Sequence, residues 1–191
     1  MSRRRASLAL VALLLCSAVP AKADDLATVR AKVQSAMQST KSFVVATTAT
    51  TGFTVTMTFV APDRYHSVLN YSGTMRDVVL VGPIAYVSSD GRVYRKIDAP
   101  PEVIAAEAQL RDVPVDQVLP DRSAGGKTWG TFATTSAGPQ KDQHLTCSYD
   151  KKTYRVAECS NEGLSLTFSR YDDPANTVVV PTNVTTPAPG K

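Results

Sequence analysis

The segment Phe53-Thr-Val-Thr-Met-Thr-Phe59 alternates strictly between apolar and hydroxyl side chains. Phe53, Val55, Met57 and Phe59 point one way and the three threonines the other, the period of a half-buried strand. Such a strand must pair along its edges and cover its apolar side, so it commits the chain to a sheet. The flanking sequence continues the pattern. Thr51-Gly52 turns the chain back from a strand over 42–50, and Pro62-Asp63, Ser72-Gly73 and Gly82-Pro83 bound further strands over 65–71, 75–81 and 84–88. Asp90-Gly91 predicts a two-residue hairpin into a strand over 92–97.

Helices are few. Asp24 or Asp25 caps a helix to about Ser39, with Leu26, Val29, Val33, Ala36 and Met37 on one face. Pro101 opens a second helix over 101–110, followed by a short helical turn at 115–119 that Pro120 stops. Asp98–Pro101 and Ser123–Gly126 read as joints on either side of this insert, which makes it a plausible lid. Four more strands follow over 127–135, 143–149, 153–158 and 164–171, then a last edge strand over 177–180. The order predicts an α+β fold: one antiparallel sheet of about 10–11 strands, curled over its apolar face, with helices on the concave side.

Residues 1–23 read as an export signal. Arg3–Arg5 precede the apolar Leu8–Leu15, and Ala21-Lys22-Ala23 predicts cleavage after Ala23. Leu15 is too large to precede a lipidated cysteine, so Cys16 is not expected to carry an anchor. No later apolar run is long enough to span a bilayer, and the product is expected to be periplasmic or secreted. The domain is expected over 24–180, with 181–191 a mobile tail. Arg3, Arg4, Arg5 and Lys22 account for the whole excess of 21 Lys plus Arg over 17 Asp plus Glu. The remaining chain is neutral, which excludes an electrostatic nucleic-acid binder.

Cys147 and Cys159 remain after the leader, an even count that favours a disulfide in an oxidising compartment. A four-residue turn at 150–153 sets Cys147 opposite Val156, three residues short of Cys159. That offset is about 10 Å along a strand, so the bridge requires a bulge or break in the second strand.

The motifs of catalysis are absent. His66 and His144 are the only histidines and form no metal-ligand spacing, and there is no Gly-x-Ser-x-Gly elbow. Gly125-Gly126-Lys127-Thr128 lacks the upstream glycine of a phosphate loop and reads as a linker. The chain is therefore not expected to be an enzyme, and neither metal nor cofactor is expected. What it offers is a sheet face crowded with Phe53, Val55, Met57, Phe59, Leu69, Tyr71, Leu80, Tyr86, Trp129, Leu166 and Phe168. Two readings follow, a filled core or an apolar ligand cavity.

Phe59-Val-Ala-Pro-Asp-Arg-Tyr65, Asp77–Val81, Val87-Ser-Ser-Asp-Gly-Arg-Val-Tyr94 and the hairpin Tyr149-Asp-Lys-Lys-Thr-Tyr154 resemble motifs of the LolA-like superfamily of periplasmic lipoprotein carriers. The resemblance implies a half-open antiparallel β-barrel lidded by helices, whose concave surface holds acyl chains of a lipid or lipoprotein. It also admits a transient protein partner in the cell envelope, as in sensor domains with a filled core. Ala61 stands where the carriers have a basic residue before the strand-ending proline, which argues against hand-off from an export machine. On this resemblance Phe53, Val55, Met57, Phe59, Leu69, Tyr71, Tyr86, Trp129, Leu166 and Phe168 are expected to line the cavity of a monomeric carrier.

Overall fold

The computed structural model describes residues 25–135 and 143–185; the predicted leader lies outside the described residues. Asp25 caps helix α1 (Leu26–Ser39) by accepting the Thr28 N–H at 2.9 Å. Val29, Val33 and Met37 are its buried residues, as the helical spacing predicts. Leu26, on the same predicted face, is 37% exposed.

Six strands then meander: β1 (Ser42–Ala49), β2 (Thr54–Val60), β3 (Arg64–Tyr71), β4 (Thr74–Val81), β5 (Ile84–Ser88) and β6 (Tyr94–Asp98). Helix α2 (Pro101–Gln109) leads to a second meander, β7 (Gln117–Ala124), β8 (Lys127–Thr135), β9 (His144–Asp150), β10 (Val156–Ser160) and β11 (Leu164–Ser169). The two join where β11 pairs antiparallel with β1. A short β12 (Val184–Thr185) completes one sheet of 12 strands in the order β12-β6-β5-β4-β3-β2-β1-β11-β10-β9-β8-β7. The sheet is curled and unclosed, and α1 packs into the same core as Phe43, Phe59, Phe132 and Tyr149 of its concave face.

Several local expectations are corrected. The predicted helical turn at 115–119 gives way to β7, which runs through Pro120 because it is an edge strand with a register shift between Leu119 and Arg122. Ser123–Gly126 is no joint: Gly125 and Gly126, at φ of 59° and 72°, turn β7 directly into β8. Asp90-Gly91 belongs to a wider loop, in which the Asp90 carboxylate accepts the Arg92 and Val93 N–H groups, and β6 begins only at Tyr94.

Cys147 and Cys159 are bonded. Two features supply the missing residues of register. Asp150–Arg155 forms a longer loop, with Tyr154 at φ of 57°, so that Tyr149 faces Val156. A register shift between Val156 and Glu158 then brings Cys159 opposite Cys147.

Residues 177–180 form no strand. They belong to a strap that leaves β11, crosses the convex face and ends as β12, parallel to the start of β6. Asn176 donates to the Ser42 hydroxyl at 3.0 Å, and Asn183 donates to the Arg92 carbonyl at 3.1 Å. Asn176 and Val178 are buried between exposed neighbours, so the strap turns alternate side chains to the sheet. The short β12 falls within the segment expected to be a tail.

Asp172 anchors the strap's first turn. It accepts the Lys41 N–H at 2.7 Å and pairs with Arg155. Partial burial raises its pKa, but the Lys41 and Arg155 hydrogen bonds outweigh that and hold the carboxyl below its ordinary value. A depressed folded-state pKa stabilises the protein above the unfolded value of about 3.9 and loses that contribution as pH falls through the folded value. Asp172→Asn keeps a residue tolerant of the left-handed backbone, where φ is 54°. It is expected to lower stability at pH 7 by only about 1 kcal/mol, because the pair is solvent-screened. The gap to the parent protein should close in denaturant titrations taken down to about pH 2.

Candidate functional site

Strand register sorts the concave face into rows. Nearest the end where α1 enters the sheet lie Phe43, Phe59, Tyr65, Leu80 and Ala85, all buried. The next row holds Phe168, Val45, Met57 and Ser67, also buried, and continues into half-buried Val78 and Val87. The third holds Leu166, Thr47, Val55 and Leu69, half-buried, and ends in exposed Arg76. Beyond it are half-buried Leu164, Ala49 and Phe53, and Tyr71, which is 57% exposed. The concave face is thus packed at one end and increasingly open toward the other.

A cleft of about 730 Å3 lies at the packed end. Tyr65 and Leu80 of the sheet, Pro62 and Pro83 of the strand turns, and Ile104 and Ala108 of α2 give it an apolar lining. Gln38, Asp63, Arg111 and Asp112 add polar groups. The Arg111 guanidinium lies 4.8 Å from the centre of the Phe59 ring and donates to the Gln38 carbonyl. Its Nε is buried with no partner among the described residues. Gln34 donates to Asp112 at 2.8 Å and Arg30 donates to the Val115 carbonyl at 2.7 Å. These three bonds fasten the segment after α2 along α1. Ile104, by contrast, is 37% exposed, so α2 presents apolar surface beside the cleft.

The ten side chains expected to line a cavity fall into three sets. Met57, Phe59 and Phe168 are buried in the core. Phe53, Val55, Leu69, Tyr71 and Leu166 share the open end of the concave face. Tyr86 and Trp129 are corrected: Tyr86 pairs with Val79 and Trp129 with Asp150, and both pairs belong to the convex face. The residues one place away, Ala85 and Gly130, take the concave positions, so an error of one residue in parity moved both aromatics across the sheet. None of the ten lines the cleft. Its own lining went unread because it comes from four separate segments. The available signal was Ile104 and Ala108 at helical i, i+4 spacing, together with two prolines in turns at one end of the sheet.

Among the described residues no three His, Cys, Asp or Glu side chains come together as a metal site, and no helix is long and apolar enough to cross a membrane. His66 lies on the convex face, 3.0 Å from Asp77.

No family model and no curated protein sequence matches the chain. Solved structures do. The Mycobacterium tuberculosis lipoprotein LppX superimposes with a TM-score of 0.55 at 16% identity, over 79% of this chain and 97% of its own. LprF from Mycobacterium bovis gives 0.52 at 12% identity, over 82% of this chain and 96% of its own. At such identities the likeness is one of fold, and it extends over nearly the full length of both structures. The single curled, unclosed antiparallel sheet with a helix on its concave side is accordingly a fold that this chain shares with LppX and LprF.

Proposed function

We propose that this chain is an exported, non-catalytic carrier that takes up acyl chains of a lipid or lipoprotein on the concave face of its sheet and moves them through the cell envelope. The observation that carries this reading is the cleft of about 730 Å3 between α2 and the sheet, apolar in its walls and bordered by an exposed isoleucine. Its size is within the range of small-molecule sites. Each methylene buried there contributes about 0.8 kcal/mol, so a long acyl chain supplies a large driving force without any polar recognition. Helix α2 is the lid. It is covalently held at both ends, but its apolar side lies against a cleft instead of a packed core, so it can shift at small cost.

Native mass spectrometry of protein purified gently from its own host, followed by solvent extraction, tests the reading. A stoichiometric acyl-bearing adduct is expected. A clean apo mass, with no uptake of added lipid or acylated peptide, overturns it. Ile104→Asp places a charge at the cleft without touching the core. It is expected to weaken binding of a fluorescent fatty-acyl probe by about tenfold, with the melting temperature little changed.

A further inference from the structure

The concave positions of β1–β6 carry no acidic residue, and their only charged side chains are Arg76 and Arg95. Arg76 is opposite Leu69 and Arg95 is opposite Val87, which fixes both on the concave side. Both are exposed, and neither makes a hydrogen bond or ion pair among the described residues. The acid nearest in sequence, Asp77, faces the convex side and is engaged by His66 at 3.0 Å. Asp98 shares that convex parity, opposite Ile84, and Asp112 accepts from Gln34.

The two arginines are joined to the cleft by apolar surface. Along β4 the concave side chains run Arg76, Val78, Leu80, and Leu80 lines the cleft. Val87 and Ile97 flank this strip on β5 and β6. From Arg76 to Leu80 is about 14 Å of strand, and β4 and β6 are about 10 Å apart with β5 between them. Long arginine side chains span such a gap readily. The concave face therefore has the polarity of an amphiphile, with an apolar cleft at one end, a half-buried apolar strip, and at the other two cations that have no ion-pair partner among the described residues.

We infer that Arg76 and Arg95 bind the anionic headgroup of an acyl lipid whose chain follows the strip into the cleft. This rests on the acyl-binding reading and specifies its ligand class: an anionic amphiphile carrying a phosphate or carboxylate. Guanidinium groups bind such groups through charge-assisted, bidentate hydrogen bonds.

The experiment compares binding of dioleoyl phosphatidylglycerol, dioleoyl phosphatidylcholine and dioleoylglycerol at low salt, with glycerol 3-phosphate as a headgroup lacking chains. The parent protein is expected to hold phosphatidylglycerol at least about tenfold more tightly than phosphatidylcholine or dioleoylglycerol, with the preference shrinking as salt is added. In the double variant Arg76→Gln, Arg95→Gln the preference for phosphatidylglycerol should fall to about unity while binding of dioleoylglycerol, which has no phosphate, stays as in the parent. Both residues are exposed, so the variant should melt with the parent protein. An anionic preference that survives the double substitution, or none in the parent, overturns the inference and leaves acyl binding standing. Glycerol 3-phosphate binding as tightly as the lipid overturns it too, by showing an anion site independent of the strip. Failure of all three lipids to bind overturns the acyl reading itself, and this inference with it.

Discussion

Gly130→Ala is expected to destabilise the protein by about 3 kcal/mol. A Cβ built on Gly130 lies 2.1 Å from Cζ of Tyr149, its direct partner across the β8–β9 ladder. The Tyr149 ring therefore occupies the space over the glycine, and it has nowhere else to go. It is 1% exposed, stacked on Tyr154 at 5.5 Å and set 6.1 Å from Phe132. A rigid ring in a close-packed interior cannot give way like the end of a flexible chain, so the methyl must displace either the ring or the strand. A double-mutant cycle isolates the cause. In a Tyr149→Ala background the same substitution should cost less than about 1 kcal/mol. An equal cost in both backgrounds would show that Gly130 matters for backbone reasons and not for the ring.

Phe59→Ala is expected to cost about 4 kcal/mol. Phe59 is 0% exposed, with the Phe43 and Tyr65 rings 5.0 and 5.1 Å away and the Arg111 guanidinium over its face. Removing the ring deletes its burial and both aromatic contacts, and it leaves Arg111 above a void. The walls around that void are strands paired on both sides, which relax little. Phe59→Leu, which refills most of the volume, should cost about 1 kcal/mol. Chemical denaturation of the two variants checks this, and near-equal losses would mean that the site collapses freely around a smaller side chain.

The sheet was legible because its signals are local. The Phe53–Phe59 alternation fixes which side of β2 is buried, and the glycine and proline turns punctuate the first meander so regularly that its strands can be counted. The same logic fails where structure depends on distant partners. Pro120 reads as a stop, yet β7 passes through it because no described strand pairs with its outer edge. Residues 177–180 have strand-like composition, yet they serve as a strap, and only Val184 and Thr185 beyond them pair with the sheet, at the start of β6. The lining of the cleft was illegible for a related reason. Tyr65, Leu80, Ile104 and Arg111 are brought together only by curling the sheet and laying α2 against it. Parity is legible where alternation is strict, as in β2, but not at Tyr86 or Trp129, and which rows α1 fills and which it leaves open is not legible at all.

The junction between the two meanders has a consequence for how the protein is made. Strands β1–β6 lie within the first 98 residues and can pair as they emerge, each with its predecessor. The second neighbour of β1, however, is β11, the last of the long strands to be synthesised. Until Leu164–Ser169 exists, β1 offers a bare row of N–H and C=O groups beside the apolar Phe43 and Val45. That row is a template for any other extended chain nearby. A polypeptide truncated ahead of residue 164 is thus worse than merely incomplete: it carries a sticky seam through what should be the middle of the sheet, and it should self-associate instead of persisting as a small soluble fragment.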